Sequence, residues 1–156
     1  MKYVFDSGPL IDLFRHYYPS RFPTLWEKFH ALVLEDELTS VREVYNEIDS
    51  REDMLTSWAK KEKDELFSQP TDEEFQFVRE IFQVRHFQAM IRKKERLQGK
   101  PVADPFVIAR AKVLDCQVVT TEVFRDNSAK IPNVCKHFSV ECINLEGFME
   151  QEGWTF

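Results

Sequence analysis

Short apolar runs and helical spacings alternate along this chain. Tyr3-Val4-Phe5 has strand preference and ends in Asp6. A helix start follows at once: Ser7 can cap, Gly8 can turn, and Pro9 has the fixed φ of a first helical position. Leu10, Leu13, Phe14 and Tyr17 then recur at helical spacing over 9–18, stopping before Pro19. Leu25, Trp26, Phe29, Leu32 and Val33 predict a second helix after Pro23. Leu38-Thr39-Ser40 reads as a short strand, with Val41, Val44, Tyr45 and Ile48 forming the apolar side of a third helix. Met54, Leu55 and Trp58 open a charged helix running to Phe67, and Pro70 breaks it. Thr71-Asp72-Glu73-Glu74 has the form of a capping box, so a new helix is predicted from there toward Met90.

The second half repeats the opening. Asp104-Pro105 starts a helix with Phe106, Val107, Ala109, Ala111 and Val113. Cys116 to Thr120 is the clearest β run, and it delivers Glu122 just beyond its end. The polar segment to Asn133, which contains Pro132, is predicted to be a loop. Residues 140–144 read as a last strand, residues 145–150 as a final helix, and 153–156 as a tail whose aromatic residues dock. Strands alternating with helices in this order predict an α/β domain with a mainly parallel sheet.

Length and composition narrow the class. The 156 residues suffice for one domain with a proper core, and 43% apolar content with fourteen Phe excludes a disordered chain. No apolar run approaches the roughly 20 residues of a membrane span, and the start shows no signal peptide, so the expected compartment is the cytoplasm. Cys116, Cys135 and Cys142 form no CxxC pair and read as reduced, buried thiols. Cys135 with His137 is the nearest approach to a zinc pair, but further ligands are not apparent. A net charge of −6 argues against a passive basic coat for nucleic acid, though not against a nuclease with clustered carboxylates. The only basic concentration is 92–100, with Arg92, Lys93, Lys94 and Arg96 suited either to phosphate contact or to solvation at a helix end.

The acids are the candidate chemistry. Taken singly, Asp6 is a cap or turn residue, Asp104 a helix start, and Glu43 and Glu47 a solvated helix face about 5–6 Å apart. In a parallel sheet, however, strand ends and the helix starts that follow them share one edge, where ligands bind. Asp6, Asp104, Glu122 and either Glu47 or Glu43 would meet there and repel. A divalent cation resolves that repulsion, and hard oxygen donors suit Mg²⁺ or Mn²⁺. No protein nucleophile is apparent: there is no GxSxG.

Four segments, Val4-Phe5-Asp6-Ser7, Val44-x-x-Glu47-Ile48, Ala103 to Ala109, and Val118-Val119-Thr120-Thr121-Glu122, together resemble the PIN domain. The resemblance runs from residue 3 to about 148, and Lys130 to Cys135 further resembles stand-alone relatives of VapC-type toxins. It implies a Rossmann-like, three-layer fold with four or five mainly parallel strands in a single domain, 1–156, carrying a helical insertion over roughly 59–98. It also implies a Mg²⁺- or Mn²⁺-dependent endoribonuclease acting on single-stranded RNA. Such proteins are commonly toxins paired with an antitoxin that carries a DNA-binding domain, and often homodimers. Asp6, Glu47, Asp104 and Glu122 take the metal-binding and catalytic positions, with Glu43 and Asp126 secondary. Ser7 would hydrogen-bond the metal's ligands or the substrate. Glu122 stands where the family more usually has Asp, which keeps the charge and lengthens the arm. The alternatives are an RNA-processing or DNA-directed nuclease of the same fold, and a catalytically silent module that binds protein.

Overall fold

A computed structural model describes residues 2–49, 53–90 and 102–156. Five short strands, β1 (Tyr3–Phe5), β2 (Leu38–Val41), β3 (Phe67–Ser68), β4 (Gln117–Val119) and β5 (Cys142–Ile143), form one sheet in the order β3-β2-β1-β4-β5. Every neighbouring pair is parallel, with Val4 opposite both Thr39 and Val118. The chain steps outward from β1 to β3, then returns to the other side of β1 for β4 and β5. This reversal puts a crevice beyond the carboxyl ends of β1 and β4, where α/β sheets bind ligands.

The helices are α1 (Ser7–His16), α2 (Pro23–Leu34), α3 (Arg42–Asp49), α4 (Met54–Lys61), α5 (Lys63–Leu66), α6 (Asp72–Gln83), α7 (Asp104–Leu114), α8 (Ile131–His137) and α9 (Leu145–Gln151). Together with the sheet they make the expected three-layer α/β fold. No helix among the described residues is long and apolar enough to cross a membrane.

Strand period explains the core. Tyr3 and Phe5 project to one face of β1. There they meet Phe148 edge-on, with ring centroids 4.8 and 5.0 Å away, and Phe5 also meets Phe29 at 5.4 Å. Trp26, Trp58, Phe14 and Phe67 continue this aromatic band across α1, α2, α4 and β3. The tail does dock: Trp154 packs on Phe148 at 5.1 Å.

Helix α7 lies against β1, β2 and β4 and packs on α6. It carries a buried cation that the apolar spacing of 104–113 conceals. Arg110, 3% exposed, donates from Nε to Glu74 Oε1 at 2.9 Å, from Nη1 to Ser68 Oγ at 2.6 Å, and from Nη2 to the Gln69 carbonyl at 3.0 Å. It also donates to the Ser40 carbonyl. The capping box therefore forms only in part. Thr71 Oγ1 accepts the Glu74 N–H at 3.2 Å, while the Glu74 carboxylate bonds Arg110 and the Thr71 hydroxyl.

Several boundaries differ from the sequence reading. Helix α1 begins at Ser7 with Asp6 as its cap, two residues before Pro9. Asp104 is the first helical residue of α7, and Ala103 precedes it as the cap. The segment expected to be a loop up to Asn133 contains the start of α8. Pro132 is tolerated there because first-turn N–H groups have no helical partner. The stretch 59–98, expected to be a helical insertion and described as far as residue 90, includes β3, whose Phe67 and Ser68 pair with Ser40 and Val41. Two residues are too few for period 2 to reveal a strand. The helix expected to reach Met90 ends at Gln83, where Val84 turns extended before a 3-10 turn at Arg85–Gln88. Arg92, Lys93, Lys94 and Arg96 lie outside the described residues.

A buried ion pair broken on one side leaves an uncompensated charge. Arg110→Ala is expected to destabilise the fold by about 3–5 kcal/mol, read from the urea midpoint. The double variant Arg110→Met/Glu74→Leu should lose less, since no charge is then stranded.

Candidate active site

Asp6 stands at the end of β1, still in the ladder through its N–H to the Val119 carbonyl at 3.0 Å. Its Oδ1 accepts the Ser7 N–H at 2.8 Å, and its Oδ2 accepts the Thr120 hydroxyl at 2.9 Å. The side chain is therefore fixed from two segments, the start of α1 and the residue just beyond β4. It is 6% exposed. Burial, and next the charge of Asp104, push its carboxyl up to about 7; the Ser7 and Thr120 hydrogen bonds pull against this, and Glu122 adds a smaller push. Two of the other expected acids, Asp104 and Glu122, thus act on Asp6 at the strand switch point.

Asp104, also 6% exposed, reaches this edge as the first residue of α7. Glu47 joins them through hydrogen bonds. Its Oε2 accepts the Ser7 hydroxyl at 3.1 Å, and its Oε1 accepts the Ala103 N–H at 3.4 Å, next to Asp104. Between Glu43 and Glu47, the geometry brings Glu47 to Asp6 and Asp104. Glu43 instead turns to the Arg110 network. Burial, above all, raises its carboxyl, Arg110 lowers it, and its Oε1 is buried without a hydrogen bond among the described residues.

Glu122 Oε2 accepts the N–H of Ile131, the first residue of α8, at 3.0 Å. Its own N–H donates to Thr120 Oγ1 at 3.2 Å. Thr120 therefore links Asp6 and Glu122 directly, a role the sequence reading did not assign. Its place at the end of the clearest β run was the available signal. Asp126 is exposed on the loop before α8 and has no hydrogen bond or ion pair among the described residues. The Cys135–His137 zinc pair does not form: Cys135 shares a hydrogen bond with Cys142, and the His137 ring packs edge-on against Phe87 at 5.2 Å.

Gly8 sets how closely α1 approaches β4. A Cβ there would lie 2.3 Å from Thr121 Oγ1. A larger residue would push apart the two segments that hold Asp6.

All the donors at this edge are oxygens, which suits a hard cation in kind. Among the described residues, however, no three His, Cys, Asp or Glu side chains converge closely enough to hold an ion.

A family model for a domain of unknown function, DUF4411, matches residues 3–156, from β1 to the aromatic tail. The chain belongs to this family. No curated protein matches it. The DUF4411 match encloses Asp6, Glu47, Asp104 and Glu122 together with the strand order that assembles them.

Two expectations follow for this DUF4411 chain. Asp6 has a folded-state carboxyl near 7 against an ordinary 3.8. Protonation therefore favours the fold: the contribution is full below about pH 4 and is lost as pH rises through 7. Without divalent ions, Asp6→Asn should be more stable than wild type at pH 8, with the difference vanishing near pH 4 in urea titrations. Gly8→Ala should lose roughly 1–3 kcal/mol by overpacking, and a second change, Thr121→Ala, should recover much of it.

Proposed function

We propose that this chain is a metal-dependent, PIN-type endoribonuclease that cleaves single-stranded RNA. The observation that carries the reading is Asp6: a buried carboxylate at the strand switch point, opposed by the charges of Asp104 and Glu122. A cluster of acids that destabilises itself in this way is expected of a cation site and is unusual in a purely structural one. It adds to the four PIN-like segments, whose acids fall on one edge of the sheet.

Asp6, Asp104, Glu47 and Glu122 are the residues that would hold Mg²⁺ or Mn²⁺. When bound, such an ion activates a water for attack on a phosphodiester and neutralises charge on the leaving oxygen. The chain's own contribution is orientation and charge. Ser7 N–H and the Thr120 hydroxyl fix the plane of the Asp6 carboxylate. The Ser7 hydroxyl and the Ala103 N–H hold Glu47 beside Asp104. The Ile131 N–H steadies the longer Glu122 arm. A toxin role with a DNA-binding antitoxin, a homodimer and a cytoplasmic location belong to the same proposal and rest on the resemblance. So does the choice of RNA over DNA, and of a toxin over an RNA-processing enzyme.

One observation favours a second reading, a catalytically silent PIN-like module that binds protein. Glu47 and Glu122 each accept a backbone N–H, and among the described residues no three His, Cys, Asp or Glu side chains converge. The purified chain separates the two readings. With Mn²⁺ or Mg²⁺ it should cut labelled single-stranded RNA in preference to structured RNA or DNA, and EDTA should stop it. Asp6→Asn and Asp104→Asn should each reduce cleavage to background while remaining folded. Undiminished cleavage in both variants would sink the assignment. No cleavage together with no Mn²⁺-dependent rise in melting temperature would favour the silent module.

A further inference from the structure

The loop after Glu122 is apolar at its outermost point. Val123 is 74% exposed and Phe124 45%. The segment 122–136 carries three cations, Arg125, Lys130 and Lys136, against two acids, Glu122 and Asp126, in a chain of net charge −6. Lys136 Nζ lies over the Phe124 ring, 4.9 Å from its centroid. Among the described residues no carboxylate pairs with any of the three cations.

The loop is also braced. The Asn133 side chain accepts the Arg125 N–H at 3.3 Å and donates to the Arg125 carbonyl at 2.7 Å. Glu122 bonds the Ile131 N–H at 3.0 Å and closes the other end. Phe124 is thus held in solvent, two residues from an acid that acts on Asp6. Exposing an aromatic ring costs free energy, and bracing it there adds order that solvation alone does not require.

We propose that Phe124 is a stacking platform for one unpaired base of single-stranded RNA. The adjacent phosphates would meet Arg125, Lys130 and Lys136, and the strand would be led to the Asp6 edge. An aromatic face flanked by cations suits a single strand, whose bases are free to stack and whose backbone tracks positive charge. A duplex keeps its bases stacked and offers none to the ring. A protein partner could also cover Val123 and Phe124, but Lys136 over the ring and two further cations in the same segment, none in an ion pair among the described residues, favour a polyanion. The inference rests on the nuclease reading for its substrate class.

The test reads binding without metal and without cleavage. Anisotropy is measured on a labelled, 2′-O-methylated single-stranded oligonucleotide with the full chain in EDTA at low salt. Phe124→Ala should weaken binding about ten-fold or more, and Phe124→Trp should retain it. An oligonucleotide with the same phosphates but abasic sugars should bind wild type weakly and be indifferent to Phe124→Ala. Lys136→Gln and Arg125→Gln should each flatten the salt dependence of binding. Wild-type affinity in a folded Phe124→Ala variant overturns the platform and leaves Val123 and Phe124 as protein contacts. So does equal binding of the abasic strand, or no binding by wild type. A Phe124 effect on binding in a chain that never cleaves would remove the nuclease reading alone. Metal-dependent cleavage with an unchanged KM in Phe124→Ala would remove the platform alone.

Discussion

A guanidinium can be buried only if its donors all find acceptors, and Arg110 meets that demand in one way. It needs Glu74 from α6, carbonyl groups at the ends of β2 and β3, and the Ser68 hydroxyl. Each contact fixes one layer against another. Because Arg110 lies two turns into α7, the same contacts fix where α7 begins, and α7 begins with Asp104. The placement of one candidate site residue is therefore set by a charge that has no part in the site. Ser40 extends the constraint to the central strand: its carbonyl accepts from Arg110 and its hydroxyl donates to the Phe5 carbonyl at 2.6 Å. Phe5 is the residue before Asp6.

Two opposing demands meet at Asp6. β1 is the central strand, flanked by β2 and β4 within a sheet that helices cover; Asp6 at its end is buried, and burial disfavours a carboxylate. The fold answers with two donors from different segments, Ser7 N–H and the Thr120 hydroxyl, yet also brings up Asp104 and Glu122. Gly8 leaves room for the Thr121 side chain beside α1. The donors hold the geometry, and the neighbouring acids undo the charge stabilisation those donors provide.

What could be read from the sequence followed how local each cause was. Val4-Phe5-Asp6, the Cys116–Thr120 run and the helices of 23–34 and 104–114 are specified by their own spacing, so their order and the parallel sheet were legible. The acids at the strand ends followed from that order. Strand β3 was not legible, because Phe67–Ser68 is held by pairing with Ser40 and Val41 and by Arg110, none of them nearby in sequence. The choice of Glu47 over Glu43 was likewise invisible. It depends on Ser7, forty residues away, and on Arg110 drawing Glu43 aside. Helix α8 was hidden by Pro132, which marks a first turn as readily as a loop.

The dispersed carboxylates and the raised Asp6 follow from one cause. Acids gathered at a buried edge have two ways to relieve their repulsion: bind a cation, or bind a proton and turn aside to other donors. In this structure Glu47 takes the Ala103 N–H, Glu122 takes the Ile131 N–H, and Asp6 titrates near neutrality. Each of these eases the crowding at the edge. On the proposed function the two ways compete, because a ligating carboxylate must first lose its proton. The backbone N–H groups at Ala103 and Ile131 hold the two glutamates at this edge. A longer arm at 122 fits that arrangement, since a Glu reaches the start of α8 and an Asp in its place would fall short by a methylene.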